Sequence, residues 1–276
     1  MTNALPWDLV NMANYPIDNL DTQRGRTVVD NARRSLDEAA LCLLPGFLSS
    51  QAIAALCAEA EQLIPSAIPY QRDRTAYGWM DNRGFPPEHP RSAMFASRNQ
   101  TVTLNQMAPD SLFRQLFFFD ALTEFVRQAL GFDTLYCSAC PYLAIELKVM
   151  DAEDVLSWHF DTNDGVVSLL LQGADEGGNF QYAPYIRSEE DERYEDIAAV
   201  FEERSNLVKQ PPMQAGSLVL FKGRRSLHRV SPVGKTRQPR LILLLSYDRE
   251  PDMVFPQATV RSITQPDGVA HRGTVS

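Results

Sequence analysis

Apolar positions recur at helical spacing from Thr22 to Ala40, where Val28, Val29, Ala32 and Leu36 share one side. A short apolar run, Leu41-Cys42-Leu43-Leu44, follows and stops at Pro45-Gly46, which predicts a buried strand. Ser49 or Ser50 then caps a helix running to about Leu63, ahead of Pro65. Residues 65 to 110 mix Pro, Arg, Gly and aromatics without a period, the signature of a long binding loop or lid. Ser111 to Leu130 predicts one or two helices closed by Gly131. Residues 1 to 20, rich in Asn, Asp and Pro, predict an irregular arm.

Beyond Phe132 the pattern changes to short β-branched and apolar runs. Strands are expected over Thr134 to Ser138, Tyr142 to Met150, Val155 to Phe160 and Val166 to Gln172. Gly177-Gly178-Asn179-Phe180 opens another. Leu207-Val208, Gly216 to Phe221, Ser226 to Val230 and Leu241 to Tyr247 complete the set. Ser188 to Glu203 predicts an acidic surface helix inserted between strands, with Glu189 to Glu192 as a solvated face near its N-terminus. Residues 249 to 276 predict an extended tail. Helices first and strands second give an α+β chain with a β-barrel or jelly-roll core.

Composition narrows the function classes. The net charge of -9 excludes the basic footprint of a general nucleic-acid binder and disfavours anionic membrane surfaces. The longest apolar runs are too short for a membrane span, and the start of the chain lacks the basic-then-apolar pattern of a leader. Four cysteines in a chain of 276 residues suggest a reducing, cytoplasmic setting. Cys137-Ser138-Ala139-Cys140 is a C-x-x-C, but no second pair stands at metal-site spacing, so buried free thiols are expected.

The chemistry concentrates at Ser157-Trp158-His159-Phe160-Asp161. In a strand, His159 and Asp161 point to one face and Trp158 and Phe160 to the other. One imidazole and one carboxylate are two-thirds of a facial iron site. Of the other histidines, His228 lies on a short strand and is the natural third ligand, whereas His89 sits among prolines and His271 in the tail. Arg240 heads the strand Leu241 to Tyr247, where alternation puts Arg240, Ile242, Leu244 and Ser246 on one face. An inward guanidinium wants an anionic partner. Arg237 is the rival; Pro239 cannot join a ladder, which favours Arg240.

His159-Phe160-Asp161, Gly177 to Phe180, Gly216 to Phe221, His228 with Ser231-Pro232-Val233, and the Arg240 strand together resemble the iron(II)/2-oxoglutarate-dependent oxygenases. The stretches Leu169 to Gln172, Asn179 to Arg187 and Ser226 to Val233 are closest to the branch of free-lysine radical halogenases and related amino-acid hydroxylases. The resemblance implies a single oxygenase domain over 1–276: a mainly helical part to 130, a double-stranded β-helix core over 131–250, and a tail from 251. It also implies iron(II) held by His159, Asp161 and His228, 2-oxoglutarate anchored by Arg240 or Arg237, and dioxygen as the oxidant. In those halogenases glycine replaces the carboxylate ligand and admits chloride, so Asp161 turns the expectation to hydroxylation. The expected substrate is a free amino acid or similar small polar metabolite, with Arg91 or Arg98 as candidate carboxylate anchors; a homodimer is allowed. The rival readings are a hydroxylase of a protein residue, as in prolyl hydroxylases, and a non-catalytic β-barrel binding module.

Overall fold

The computed structural model describes residues 6–265 apart from 79 and 163; His271 and the end of the expected tail lie outside the described residues. In chain order the elements are α1 (Pro6–Leu9), α2 (Gln23–Ala39), β1 (Leu41–Leu44), α3 (Ser50–Leu63), β2 (Ile68–Arg74), β3 (Phe95–Thr103), α4 (Leu112–Phe117), α5 (Asp120–Leu130), β4 (Tyr136–Cys137), β5 (Ile145–Met150), β6 (Leu156–His159), β7 (Val166–Gln172), β8 (Phe180–Ala183), α6 (Tyr194–Phe201), β9 (Leu218–Phe221), β10 (Leu227–Val230), β11 (Arg240–Asp248) and α7 (Gln257–Thr264).

Two antiparallel sheets face each other as a double-stranded β-helix. The large sheet runs β1-β9-β7-β11-β5-β3-β2, with β4 paired to β11; the small sheet runs β6-β10-β8. Strand alternation divides the large sheet into two faces. Val167, Leu169, Leu171, Leu218, Leu220, Leu241, Leu243 and Leu245 point outward into the main core, where Val29 and Leu36 of α2, Leu56 of α3 and Phe125 of α5 meet them. Each such side chain, once buried, contributes roughly 1.5–3 kcal/mol. The opposite face looks into the barrel. The small sheet buries Trp158, Phe160 and Leu227 in a second cluster with Ile197 and Val200 of α6.

The helices begin and end where their caps dictate. Thr22 accepts the Gly25 N–H and starts α2, while Ser49, not Ser50, accepts the Ala52 N–H and starts α3. Gly131, at φ 72°, closes α5, a left-handed turn that glycine takes without a Cβ penalty. Of the one or two helices expected over 111–130 there are two, broken at Phe118–Phe119.

Five expectations need correction. The arm expected over residues 1 to 20 is not irregular throughout, because it carries α1. Residues 65–110 contain a paired hairpin, β2 with β3, and not only a loop. The acidic helix begins at Tyr194: the Ser188 hydroxyl accepts the N–H groups of Glu190 and Asp191 and closes a turn first, and Arg193 enters the helix at φ 48°. Leu207-Val208 is no strand; only Lys209 bridges, to Tyr182. The tail is not extended throughout, because Pro256 leads into α7. No helix among the described residues is long and apolar enough to cross a membrane.

Candidate metal and cosubstrate site

β6 and β10 are neighbours, and their register sets His159 opposite His228, with ring centroids 4.0 Å apart. Asp161 follows two residues after His159, so its carboxylate returns to the same side. Its Oδ1 lies 3.4 Å from His228 Nε2 and 3.8 Å from His159 Nε2. Candidate ligand atoms of all three side chains fall within 4.8 Å of one another, the one such group among the described residues.

Both rings are oriented by backbone. His159 Nδ1 is 2.8 Å from the Ser157 carbonyl, and His228 Nδ1 is 3.0 Å from the Ser226 carbonyl. A carbonyl only accepts, so each Nδ1 carries the proton and each Nε2 presents its lone pair to the centre. The Ser157 carbonyl is held in turn, since the Ser157 N–H donates to Ser97 Oγ at 3.0 Å and the two hydroxyls are 2.6 Å apart. Burial, with His228 alongside, holds the His159 pKa well below its ordinary value and keeps the imidazole neutral. Burial pushes the Asp161 carboxyl up, but the neighbouring His228 and Arg74 outweigh it and hold the group below the usual range. Two imidazoles, one carboxylate and no thiolate suit a divalent iron ion.

Beneath this trio lies an inner chamber of about 90 Å³, bounded by Val219, Phe221, Ile242 and Leu244, with Arg240 on its wall. Arg240 is 2% exposed, and among the described residues its guanidinium reaches only the Met150 thioether, at 3.9 Å. Burial pulls its pKa down to about 10, still far above neutrality, so a charged group sits in the wall without a carboxylate. Such a charge is costly unless an anion meets it, and the distal carboxylate of a dicarboxylic acid fits. The double glycine is explained here: Gly178, at φ 61°, lies against Arg240, whose Cδ would be 2.9 Å from any Cβ added there. Arg237 is elsewhere, on the surface, paired to Asp175 at 2.9 Å.

A second chamber of about 320 Å³ shares His159, Asp161, Asn99 and Lys148 with the first and opens outward along β2 and α7. Its wall carries Arg74, which forms no ion pair with a described residue, and the Glu146–Lys148 pair, 2.8 Å apart. Arg91 and Arg98, the anchors expected from sequence, are committed elsewhere. Arg98 pairs with Asp154 and Glu153 at 3.0 and 3.1 Å, and Arg91 bonds Asn82 and stacks over Phe85. His89 stacks on Phe85 and meets Tyr194. Cys137 and Cys140 are free, and burial raises the Cys137 thiol pKa. Sequence reasoning missed Arg74 and Asn99, which lie in the unread hairpin. Glu146 and Lys148 were missed as well, although the alternation of Ile145 to Met150 carries them on one face.

Residues 25–263 match the model of the Halogenase D (HalD) family. No curated protein matches the sequence. Among solved structures, the epimerase SnoN of nogalamycin biosynthesis, in complex with ferric iron, alpha ketoglutarate and nogalamycin RO, superposes with a TM-score of 0.55 at 14% identity, over 89% of this chain and 93% of that one. A prolyl hydroxylase from Trichoplax adhaerens, in complex with a hypoxia inducible factor peptide fragment, gives 0.53 at 13% identity, over 83% and 93%. AviO1 from Streptomyces viridochromogenes gives 0.52 at 18% identity, over 82% and 95%. At these identities the likeness is one of fold, the double-stranded β-helix expected from the sequence. With most of its length matched by the family model, the chain belongs to the Halogenase D family, within the iron(II)/2-oxoglutarate oxygenase superfamily.

Proposed function

We propose that this enzyme hydroxylates an unactivated C–H bond of a free amino acid or similarly small polar metabolite, with His159, Asp161 and His228 as iron ligands and Arg240 as the anchor of 2-oxoglutarate. The observation that carries the reading is the Asp161 carboxylate, which sits against both Nε2 atoms where the halogenases have glycine and an open anion position. When bound, iron supplies oxidation of the substrate by dioxygen, coupled to conversion of 2-oxoglutarate to succinate and carbon dioxide. The chain's own contribution is placement. Ser157 and Ser226 carbonyls fix the imidazoles, Arg240 neutralises the distal carboxylate, and the apolar walls keep water from the centre.

A small charged substrate is supported by the outer chamber. Arg74 offers a cation to a carboxylate, and Glu146 an acceptor to an amine. Thr259, Ser262 and Ile263 of α7 wall the opening, which suits a small molecule better than a peptide lying across it. The test is succinate formation from 2-oxoglutarate with iron(II) and dioxygen across a panel of free amino acids, with product masses. Stimulation by one amino acid with an oxygen-sized mass gain is expected. A chlorine-sized gain would overturn hydroxylation, stimulation by peptides alone would overturn the substrate class, and no succinate with metal bound would favour a binding module.

A further inference from the structure

We propose that Gly223 is a positioning residue that makes the seat for the Asp161 carboxylate, so that positions 161 and 223 together decide whether the metal centre holds a protein carboxylate. The inference rests on the metal-centre reading above and goes beyond it to a residue that touches no metal. Gly223 lies in the loop between β9 and β10. A Cβ built on it would stand 2.7 Å from Asp161 Cγ and 3.1 Å from Asp161 Cβ, and closer still to Oδ2. Carbon atoms in folded proteins do not approach so closely, and the obstacle is the functional end of a short side chain with few rotamers to retreat into.

The loop cannot make room by withdrawing. The Asp161 N–H donates to the Gly223 carbonyl at 3.1 Å, tying the two segments backbone to backbone. On one side of Gly223, the Lys222 N–H is bonded to the Ala40 carbonyl at 2.8 Å. On the other, the Arg224 N–H is bonded to Asp164 Oδ1 at 3.1 Å. The buried Arg187 then clamps both partners at once. Its Nε donates to the Arg224 carbonyl at 2.9 Å, while its guanidinium lies 3.9 Å over the ring of Phe160, the residue between His159 and Asp161. Any side chain at 223 therefore displaces the carboxylate and not the loop. Where residue 161 is itself glycine, the three atoms nearest that Cβ are gone and the obstacle to a methyl group at 223 goes with them.

The experiment is a double-mutant cycle read by metal binding. Cobalt(II) or manganese(II) titration calorimetry, with the metal-induced rise in Tm, is measured on wild type, Gly223→Ala, Asp161→Gly and the double variant. Gly223→Ala is expected to weaken metal binding about tenfold or more, with the metal-free Tm held. Added to Asp161→Gly, the same change is expected to shift binding by no more than about twofold, the margin of independent sites. Wild-type binding by Gly223→Ala, or an equal loss in both backgrounds, overturns the proposal. If Gly223→Ala fails to fold, a folded double variant supports it and an unfolded one overturns it, since the clash then lies with something other than the carboxylate. His228→Ala in the same titration separates the two readings: if it too binds metal normally, the metal centre itself is misassigned.

Discussion

The two faces of the large sheet follow different rules, and β11 shows both on one strand. Its outward residues Leu241, Leu243 and Leu245 are all leucine and pack with the helices. Its inward residues are Arg240, Ile242, Leu244 and Ser246, mixed in polarity and turned to the chambers. Along β3 the contrast is sharper: Ser97, Asn99 and Thr101 are each under 5% exposed. The outward face is selected for volume, so its losses are losses of stability. The inward face is selected for placed polar groups, nearly all of them partnered within the protein. Arg240 and Arg74 stand out because neither forms an ion pair with a described carboxylate.

Substitutions on the two faces should therefore move different readouts. The largest effect is expected from His228→Ala on the inner side: turnover and the metal-induced rise in Tm should both vanish, with little change in the metal-free Tm. Full activity in this variant would remove His228 from the site. On the outer face, Leu243→Ala should lose about 2–5 kcal/mol of stability through the cavity it leaves; denaturant unfolding measures this, and the 2-oxoglutarate KM should stay put. A shift in KM as large as that of an inner-face variant would erase the division of labour. Arg240→Ala should raise the 2-oxoglutarate KM at least about tenfold, since a charged hydrogen bond contributes roughly 1.5–3 kcal/mol. Arg74→Ala should raise the substrate KM with that of 2-oxoglutarate unchanged, and the reverse pattern would move Arg74 to the cosubstrate. The smallest effect is expected from Arg237→Ala, whose partner is a surface carboxylate; steady-state kinetics should be near wild type.

The same contrast explains what could be read from the sequence. The outward face advertises itself, because Leu241 to Leu245 and Leu169 to Leu171 are apolar runs in any window. The β-helix half and the capped helices were legible for that reason. β2 and β3 were not: β3 buries serine, asparagine and threonine toward the barrel, and β2, at the sheet's edge, carries Pro69 and then the exposed polar run Gln71 to Asp73, so neither shows apolar alternation. Arg74 and Asn99 were hidden with them. His159 and Asp161 were legible because strand spacing aims two side chains at one point, while His228 came from another strand and was picked by scarcity of histidine and by resemblance. The carbonyls of Ser157 and Ser226 leave no trace in residue type, since any residue offers a carbonyl. Gly223 acts through the atom it lacks, toward a residue far away in the chain.

The most direct test of the inner face as a chelate site is anaerobic calorimetric titration of 2-oxoglutarate into wild type, Arg240→Ala and Arg237→Ala, each with and without manganese(II). The account predicts tight binding to wild type only with metal, strong weakening by Arg240→Ala, and little change by Arg237→Ala. Binding that ignores the metal, or that survives Arg240→Ala intact, would contradict it.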